Sequence, residues 1–318
     1  MVKPVLAIHG GAGAIAQAQL TPEVKAQYED ALRGVLEGGA RVLADGGLAV
    51  DAVTEAVRLL EECPLFNAGH GAVFTRDGDH ELDASIMDGR DRACGAVANL
   101  RTVRNPILAA RAVMLHSPHV FFVGDGAEAF ARQQNLECVD PSFFSTAMRR
   151  EQLEQAQRSG AETIVLDHDG ATAGAPLEEG TKLGTVGAVA LDRHGNLAAA
   201  TSTGGMTNKW PGRVGDSPVI GAGCYANNTT CAVSTTGKGE AFIRAVAAHD
   251  VSALMEYAGL TLEQAVQRVV YEKLPALGGA GGLIALDAHG NVLMPFNTQG
   301  MYRGSLAIGE AAFVAIHR

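Results

Sequence analysis

The stretch richest in chemistry is Gly184-Thr185-Val186-Gly187-Ala188-Val189-Ala190-Leu191, just past the middle of a 318-residue chain. It follows a run from about Arg158 to Lys182, rich in Ala, Gly, Thr and acidic residues, that keeps neither helical nor strand period. Cutting the Gly184–Thr185 bond would leave Thr185 with a hydroxyl nucleophile and a free α-amine on one residue. An α-amine has an ordinary pKa of about 7.7–8, so it can act as the general base that a hydroxyl otherwise borrows from a histidine. Gly184 has no side chain to crowd attack by the Thr185 hydroxyl on the carbonyl before it. One hydroxyl could therefore cut the chain and afterwards act on a substrate. A lone Gly-Thr pair is more often a turn entering a buried strand; the unpatterned run before it and the clusters after it favour chemistry.

Three clusters supply that company. Thr201-Ser202-Thr203-Gly204-Gly205 sets three hydroxyls at a strand end beside two glycines. Trp210-Pro211-Gly212-Arg213-Val214-Gly215-Asp216-Ser217-Pro218 pins Arg213 and Asp216 among Pro and Gly. They suit a surface ion pair, or a fork and a carboxylate for the two charges of an amino acid. Ser234-Thr235-Thr236-Gly237-Lys238-Gly239-Glu240 has a superficial likeness to a phosphate loop, but Ala232 and Gly239 stand where Gly and Ser/Thr are needed. Thr236 Oγ with the Gly237 N–H would instead make an oxyanion hole at a helix N-terminus. Neither His116/His119 nor His9/His70 has a carboxylate or Cys at metal-ligand spacing, so no zinc site is expected.

The elements that must position these residues are legible from periodicity. Val5 to Ile8 reads as a buried strand leading to a glycine loop, His9-Gly10-Gly11-Ala12-Gly13-Ala14. Gly11-x-Gly13-x-x-Ala16 overlaps the dinucleotide fingerprint, yet the next helix starts only at Thr21-Pro22, with Thr as cap. A nucleotide-dependent oxidoreductase is therefore a weaker alternative, and close backbone approach explains the glycines better. Helices are expected to Gly46 and from Val50 to Leu60, then a glycine loop at 65–72 running into a strand at Val73-Phe74. Strands are expected at 81–87 with period two, at 96–100 and at 120–123, with a helix over 107–114 capped by Asn105. Two more helices, about 127–134 and 144–157, precede the unpatterned run.

Past Thr185 the pattern gives a hairpin, 187–202, turning at Asp192-Arg193-His194-Gly195, and a near-copy, 282–295, turning at Asp287-Ala288-His289-Gly290. Their likeness suggests one sheet built twice over. Two helices lie between them, 240–257 and 262–274, the second with a Thr261/Gln264 capping box. Two sheets face to face with helices outside is the expected packing.

Composition narrows the partners. A net charge of −10 argues against nucleic acid, and no apolar run approaches the length of a membrane span. Five cysteines without CxxC spacing, and an N-terminus without a leader pattern, read as a reduced, cytoplasmic protein.

In order, His9-Gly10-Gly11-Ala12-Gly13, Asn67-Ala68-Gly69, Gly184-Thr185-Val186-Gly187, 201–205, Arg213-Val214-Gly215-Asp216 and Thr236-Gly237-x-Gly239-Glu240 resemble the plant-type L-asparaginase and isoaspartyl aminopeptidase family. This family, which includes the bacterial type III asparaginases, consists of N-terminal-nucleophile hydrolases. The resemblance covers nearly the whole chain apart from the run before Gly184 and the last dozen or so residues.

It implies an α/β fold, a four-layer αββα sandwich, cut before the threonine. Residues 1–184 would be the α subunit, ending in a flexible linker from about 158 to 184. Residues 185–318 would be the β subunit, and two αβ pairs would form a dimer. It implies Thr185 as nucleophile with Thr203 bonded to its amine or hydroxyl, and Thr236 and Gly237 as the oxyanion hole. Arg213 would take the substrate α-carboxylate, and Asp216 with the Gly239 carbonyl the α-ammonium. No cofactor is implied for catalysis. A structural sodium ion is implied on the backbone carbonyls of Leu60, Glu61, Cys63, Phe66, Ala68 and His70. The implied activity is hydrolysis of L-asparagine and β-aspartyl dipeptides; a glycosylasparaginase of the same family is the alternative, and a non-catalytic binder with this fold would stay uncut.

Overall fold

The computed structural model describes residues 2–15, 21–158 and 184–318. The expected linker falls almost wholly outside them, as does Ala16 of the dinucleotide-like motif.

The organising hairpin is β5 (Val186–Leu191) with β6 (Leu197–Thr203), paired antiparallel from Val186↔Ser202 to Leu191↔Leu197. Its turn is closed by one carboxylate. Asp192 Oδ1 accepts from the backbone N–H of His194 and Asn196, and Oδ2 from the Asn196 amide, while Gly195 takes φ +84°. The same bonds recur at Asp287, with His289 and Asn291 as donors, between β9 (Gly281–Asp287) and β10 (Val292–Leu293). The two hairpins share turn chemistry and not a sheet, which corrects the expectation of one sheet built twice.

The first belongs to the large sheet. β1 (Val5–Gly13) pairs β5 on one side and β11 (Gly300–Ala307) on the other; β12 (Phe313–Ala315) closes that edge. Beyond β6 follow β2 (Leu82–Asp88), β3 (Cys94–Leu100) and β4 (Phe121–Val123). The second hairpin belongs to a smaller sheet, ordered β10, β9, β8 (Cys231–Gly237), β7 (Cys224–Ala226).

Burial follows from the layering. Leu6, Ile8, Ala188, Ala190, Ala198 and Ala200 pack under the helices α1 (Pro22–Ala44), α2 (Ala49–Glu62) and α3 (Pro106–His116). Their alternates Val5, Ala7, Val189, Leu191, Leu197 and Ala199 face the small sheet. That sheet is backed by α6 (Gly239–Ala245), α7 (Ala247–Ala258) and α8 (Leu262–Arg268); α4 (Gly124–Gln133) and α5 (Ala147–Arg158) complete the first half. The four-layer αββα sandwich is present. Both faces of each central strand are covered, so β2 is buried at every position and its period-two pattern does not mark an exposed face.

Other differences are local. His9 to Gly13 extend β1, with a bulge between His9 and Gly11, instead of forming a loop. A Cβ on Gly10 would run into the Phe66 ring, 2.6 Å from its Cδ1 and closer still to Cε1, the close approach expected of this motif. Among the described residues no helix opens on these glycines as a dinucleotide site requires. Val73-Phe74 forms no strand; only Thr75 bridges, to Lys209. Asn105 stands at the N-cap of α3, but its side chain accepts no capping bond: the Ile107 N–H goes to Glu61 Oε1 at 2.9 Å, and the Asn105 amide donates to Glu62 Oε1 at 3.1 Å. The expected 240–257 helix breaks at Val246, φ +49°. Thr21 does cap α1, and the Thr261/Gln264 capping box forms. Among the described residues no helix is long and apolar enough to cross a membrane.

Candidate active site

Thr185 stands immediately before β5, and the Val186↔Ser202 register sets it beside Thr203 at the end of β6. β8 of the facing sheet ends on Thr236-Gly237, and the loop after β6 carries Arg213 and Asp216. Thr185, Thr203, Gly205, Met206, Arg213, Gly215, Asp216, Ser217, Thr236 and Gly237 line one open cavity of about 280 Å³.

Hydrogen bonds at the threonines run in one direction. Thr185 Oγ1 donates to Thr203 Oγ1 at 3.3 Å, and Thr203 Oγ1 donates to the Gly184 carbonyl at 3.5 Å. The Gly205 N–H donates to Thr203 Oγ1 at 3.0 Å. Thr203 thus bridges the hydroxyl of Thr185 and the carbonyl that precedes it. Asn67 braces this corner: its amide donates to the Gly205 carbonyl at 2.7 Å, and its Oδ1 accepts from Val73 N–H. A Cβ on Gly184 would meet Asn67 Cβ at 3.2 Å, so the missing side chain matters for packing as well as access.

Thr236 is fully buried, and its Oγ1 accepts the Ala12 N–H at 3.3 Å, which leaves its own proton to donate. Gly237 has room for no side chain, since a Cβ would lie 2.7 Å from Gly281 Cα.

Asp216 is 3% exposed and accepts from Thr235 Oγ1 at 2.7 Å. Burial pushes its carboxyl up to about 6, opposed by the Thr235 bond and the Arg213 charge. Arg213 does not pair with Asp216; its ion pair is with Glu240, at 2.9 Å. Gly239 separates them from the chain, since a Cβ there would lie 2.9 Å from Asp216 Oδ1 and 3.0 Å from Arg213 Nη2. Lys238 is the N-cap of α6 and does not line the cavity.

Two side chains escaped the sequence reading. Ser217 lines the cavity with its hydroxyl buried and, among the described residues, without a partner. His9 is fully buried beside the Thr185 backbone, and burial pushes its imidazole down to about 3, so it stays neutral. Its Nε2 meets Ser234 Oγ at 2.9 Å, which meets Thr201 Oγ1 at 2.7 Å, which donates to the Gly223 carbonyl. A Cβ on Gly187 would lie 2.5 Å from that Nε2, so the glycine after the nucleophile makes room for the histidine. Neither residue has a spacing signal of its own: strand pairing brings His9 in, and Ser217 comes with Asp216 on the loop after β6.

The expected sodium loop follows α2. His70 N–H donates to the Glu61 carbonyl at 2.7 Å, Cys63 N–H to the Leu60 carbonyl and Phe66 N–H to the Cys63 carbonyl. Gly69 (φ +49°) and Gly71 (φ +105°) fold the loop back, and a Cβ on Gly71 would lie 2.6 Å from the Pro64 carbonyl and 2.8 Å from that of Phe66. Carbonyl oxygens crowded into a left-handed turn are the donor set a hard monovalent cation takes, and each retains a lone pair. Of the expected carbonyls, those of Leu60, Glu61 and Cys63 each accept one backbone N–H, and that of Phe66 lies beside Gly71.

The family model described as asparaginase matches residues 2–315. The chain is 61% identical over 318 residues to an isoaspartyl peptidase of Escherichia coli, covering 100% of this chain and 97% of that protein. It is 44% identical to a probable isoaspartyl peptidase/L-asparaginase of Arabidopsis thaliana, with 94% of each chain covered. It is 42% identical to an isoaspartyl peptidase/L-asparaginase of Mus musculus, over 94% of this chain and 87% of that one.

Proposed function

The chain belongs to the asparaginase family, and from that premise we propose that it is a self-cleaving amidohydrolase of β-aspartyl dipeptides and L-asparagine that releases L-aspartate. The observation that carries this reading is the single small cavity where Thr185, Thr203, Thr236, Gly237, Arg213 and Asp216 meet.

Maturation uses the threonine relay. Thr185 Oγ attacks the Gly184 carbonyl carbon, its proton passes to Thr203, and Thr203 donates to the carbonyl oxygen. The C–N bond breaks as the proton on the former carbonyl oxygen passes back through Thr203 to the departing nitrogen, which becomes the α-amine of Thr185, and water hydrolyses the resulting ester to a Gly184 carboxylate and the free Thr185 hydroxyl. The products are an α subunit, 1–184, and a β subunit, 185–318.

In turnover the free α-amine accepts the Thr185 hydroxyl proton, and Oγ attacks the side-chain amide carbon of the substrate. Negative charge develops on the amide oxygen, and the Thr236 hydroxyl with the Gly237 N–H receives it. Collapse expels ammonia or the amine of the leaving residue, and water then hydrolyses the acyl-threonine. Arg213 takes the α-carboxylate; Asp216 and the Gly239 carbonyl take the α-ammonium. The enzyme is exo-acting, because both charges sit on one free head group.

No cofactor enters these steps. A sodium ion on the carbonyls of Leu60, Glu61, Cys63, Phe66, Ala68 and His70 would neutralise their combined dipoles and fix the loop carrying Asn67. The assembly is a dimer of αβ pairs, and the five free cysteines support a reducing, cytoplasmic setting. The test is hydrolysis of β-Asp-Leu against α-Asp-Leu and N-acetyl-β-Asp-Leu. Only the first should be cut; equal rates for the first and third would remove Arg213 and Asp216 from recognition.

A further inference from the structure

Arg213 spends only one edge on protein. Its Nε donates to Glu240 Oε1 at 3.0 Å and its Nη2 lies 2.9 Å from the same oxygen. Nη1 has no partner among the described residues, while Arg213 lines the cavity and Glu240 does not. The guanidinium is also slotted between two glycines: a Cβ on Gly215 would lie 2.9 Å from Nη1, and one on Gly239 3.0 Å from Nη2. Glycines supply the slot but no polar grip; among the described residues only Glu240 hydrogen-bonds the guanidinium. A guanidinium offers two forks to carboxylates, side-on through Nε and one Nη, and end-on through both Nη atoms. Glu240 takes the first from outside the cavity. The second, with Nη1 and the other Nη2 proton, is left for an anion inside it.

We propose that Glu240 is the positioning residue for head-group recognition: it grips the side-on edge of Arg213 so that the end-on edge is presented to the substrate α-carboxylate. This rests on the reading of Arg213 as the carboxylate site. The Glu240 side chain is 51% exposed and that of Arg213 is 17% exposed. A pair so open to water adds little to folding, so its value lies in orientation. Because one oxygen makes both contacts, a neutral carbonyl oxygen at the same place can replace it, whereas a shorter acid cannot reach.

Steady-state kinetics on mature enzyme test this with Glu240→Ala, Glu240→Asp, Glu240→Gln and Arg213→Gln, on L-asparagine and β-Asp-Leu. Self-cleavage of each variant reports that it folds. Glu240→Ala and Glu240→Asp should raise KM about tenfold for both substrates, as loss of a charge-assisted contact does, with kcat nearly unchanged. Glu240→Gln should recover most of the lost affinity. An unchanged or lower KM in both Ala and Asp variants overturns the inference, the lower value marking Glu240 as a competitor for the fork. A loss in kcat alone, or a Gln variant no better than Ala, overturns it too. If Arg213→Gln also leaves KM unchanged, the carboxylate reading of Arg213 itself fails; if it raises KM while the Glu240 variants do not, only the role of Glu240 fails.

Discussion

Thr236 can donate to a developing oxyanion because its acceptor side is already taken by the Ala12 N–H. Thr236→Val keeps the shape and removes the donor, so kcat should fall by about 10²–10³, the cost of one oxyanion-hole donor. KM should change little; an effect confined to KM would place Thr236 in ground-state binding. Asp216 gives a second residue-scale test through pH. Its carboxyl, raised to about 6 by burial, is protonated below that value and then cannot hold an ammonium. The Thr185 α-amine, with an ordinary pKa of about 7.7–8, must also be unprotonated to act as base. Log kcat/KM should therefore fall with slope one on acidification and steepen to slope two below about pH 6. His9, held neutral with a pKa near 3, adds no limb in that range. A slope of one continuing down to about pH 4, near the ordinary aspartate pKa, would mean that Asp216 need not be ionised.

At the scale of elements, the nucleophile is placed by a hairpin, and the hairpin by Asp192. Besides its turn, Asp192 accepts the Ala49 N–H at 3.1 Å, tying β5 and β6 to the start of α2. Asp287 holds the matching turn without such a helix contact among its hydrogen bonds. Asp192→Ala should cost about 1–3 kcal/mol, because it strands the buried Ala49 N–H, and Asp287→Ala less. Thermal or urea unfolding of the two variants checks the order; equal losses would mean that the helix tie adds nothing. The twin turns were legible in the sequence because Asp-x-x-Gly-Asn carries its own bonding pattern. Their assignment to different sheets was not, since sheet membership depends on long-range pairing. β8 was hidden for another reason: its Cys-Ala-Val-Ser-Thr-Thr-Gly lies in the small sheet, between the large sheet and the outer helices, where hydroxyls bond across layers and no polar face shows. The residues meant for chemistry at Thr185, Thr203, Thr236, Arg213 and Asp216 stood out by type and glycine context, and they line one cavity. His9, Ser217 and Glu240 did not, because their meaning lies in what the fold sets beside them.

Over the whole molecule, the sandwich makes Thr185 useful only if it becomes a chain end. Before cleavage its nitrogen is an amide, and an amide cannot act as the base. β1 must nevertheless stay in place after the cut, because it is paired on one side with β5 and on the other with β11. Cleavage should thus leave the fold intact while creating the active amine. Intact-mass analysis with N-terminal sequencing, run beside an activity assay on the same sample, tests this most directly. Wild-type protein should yield two fragments, the second beginning Thr-Val-Gly, with activity rising in step with the cut, while Thr185→Ala stays whole and inactive. Fully active protein that remains a single uncut chain would contradict the account.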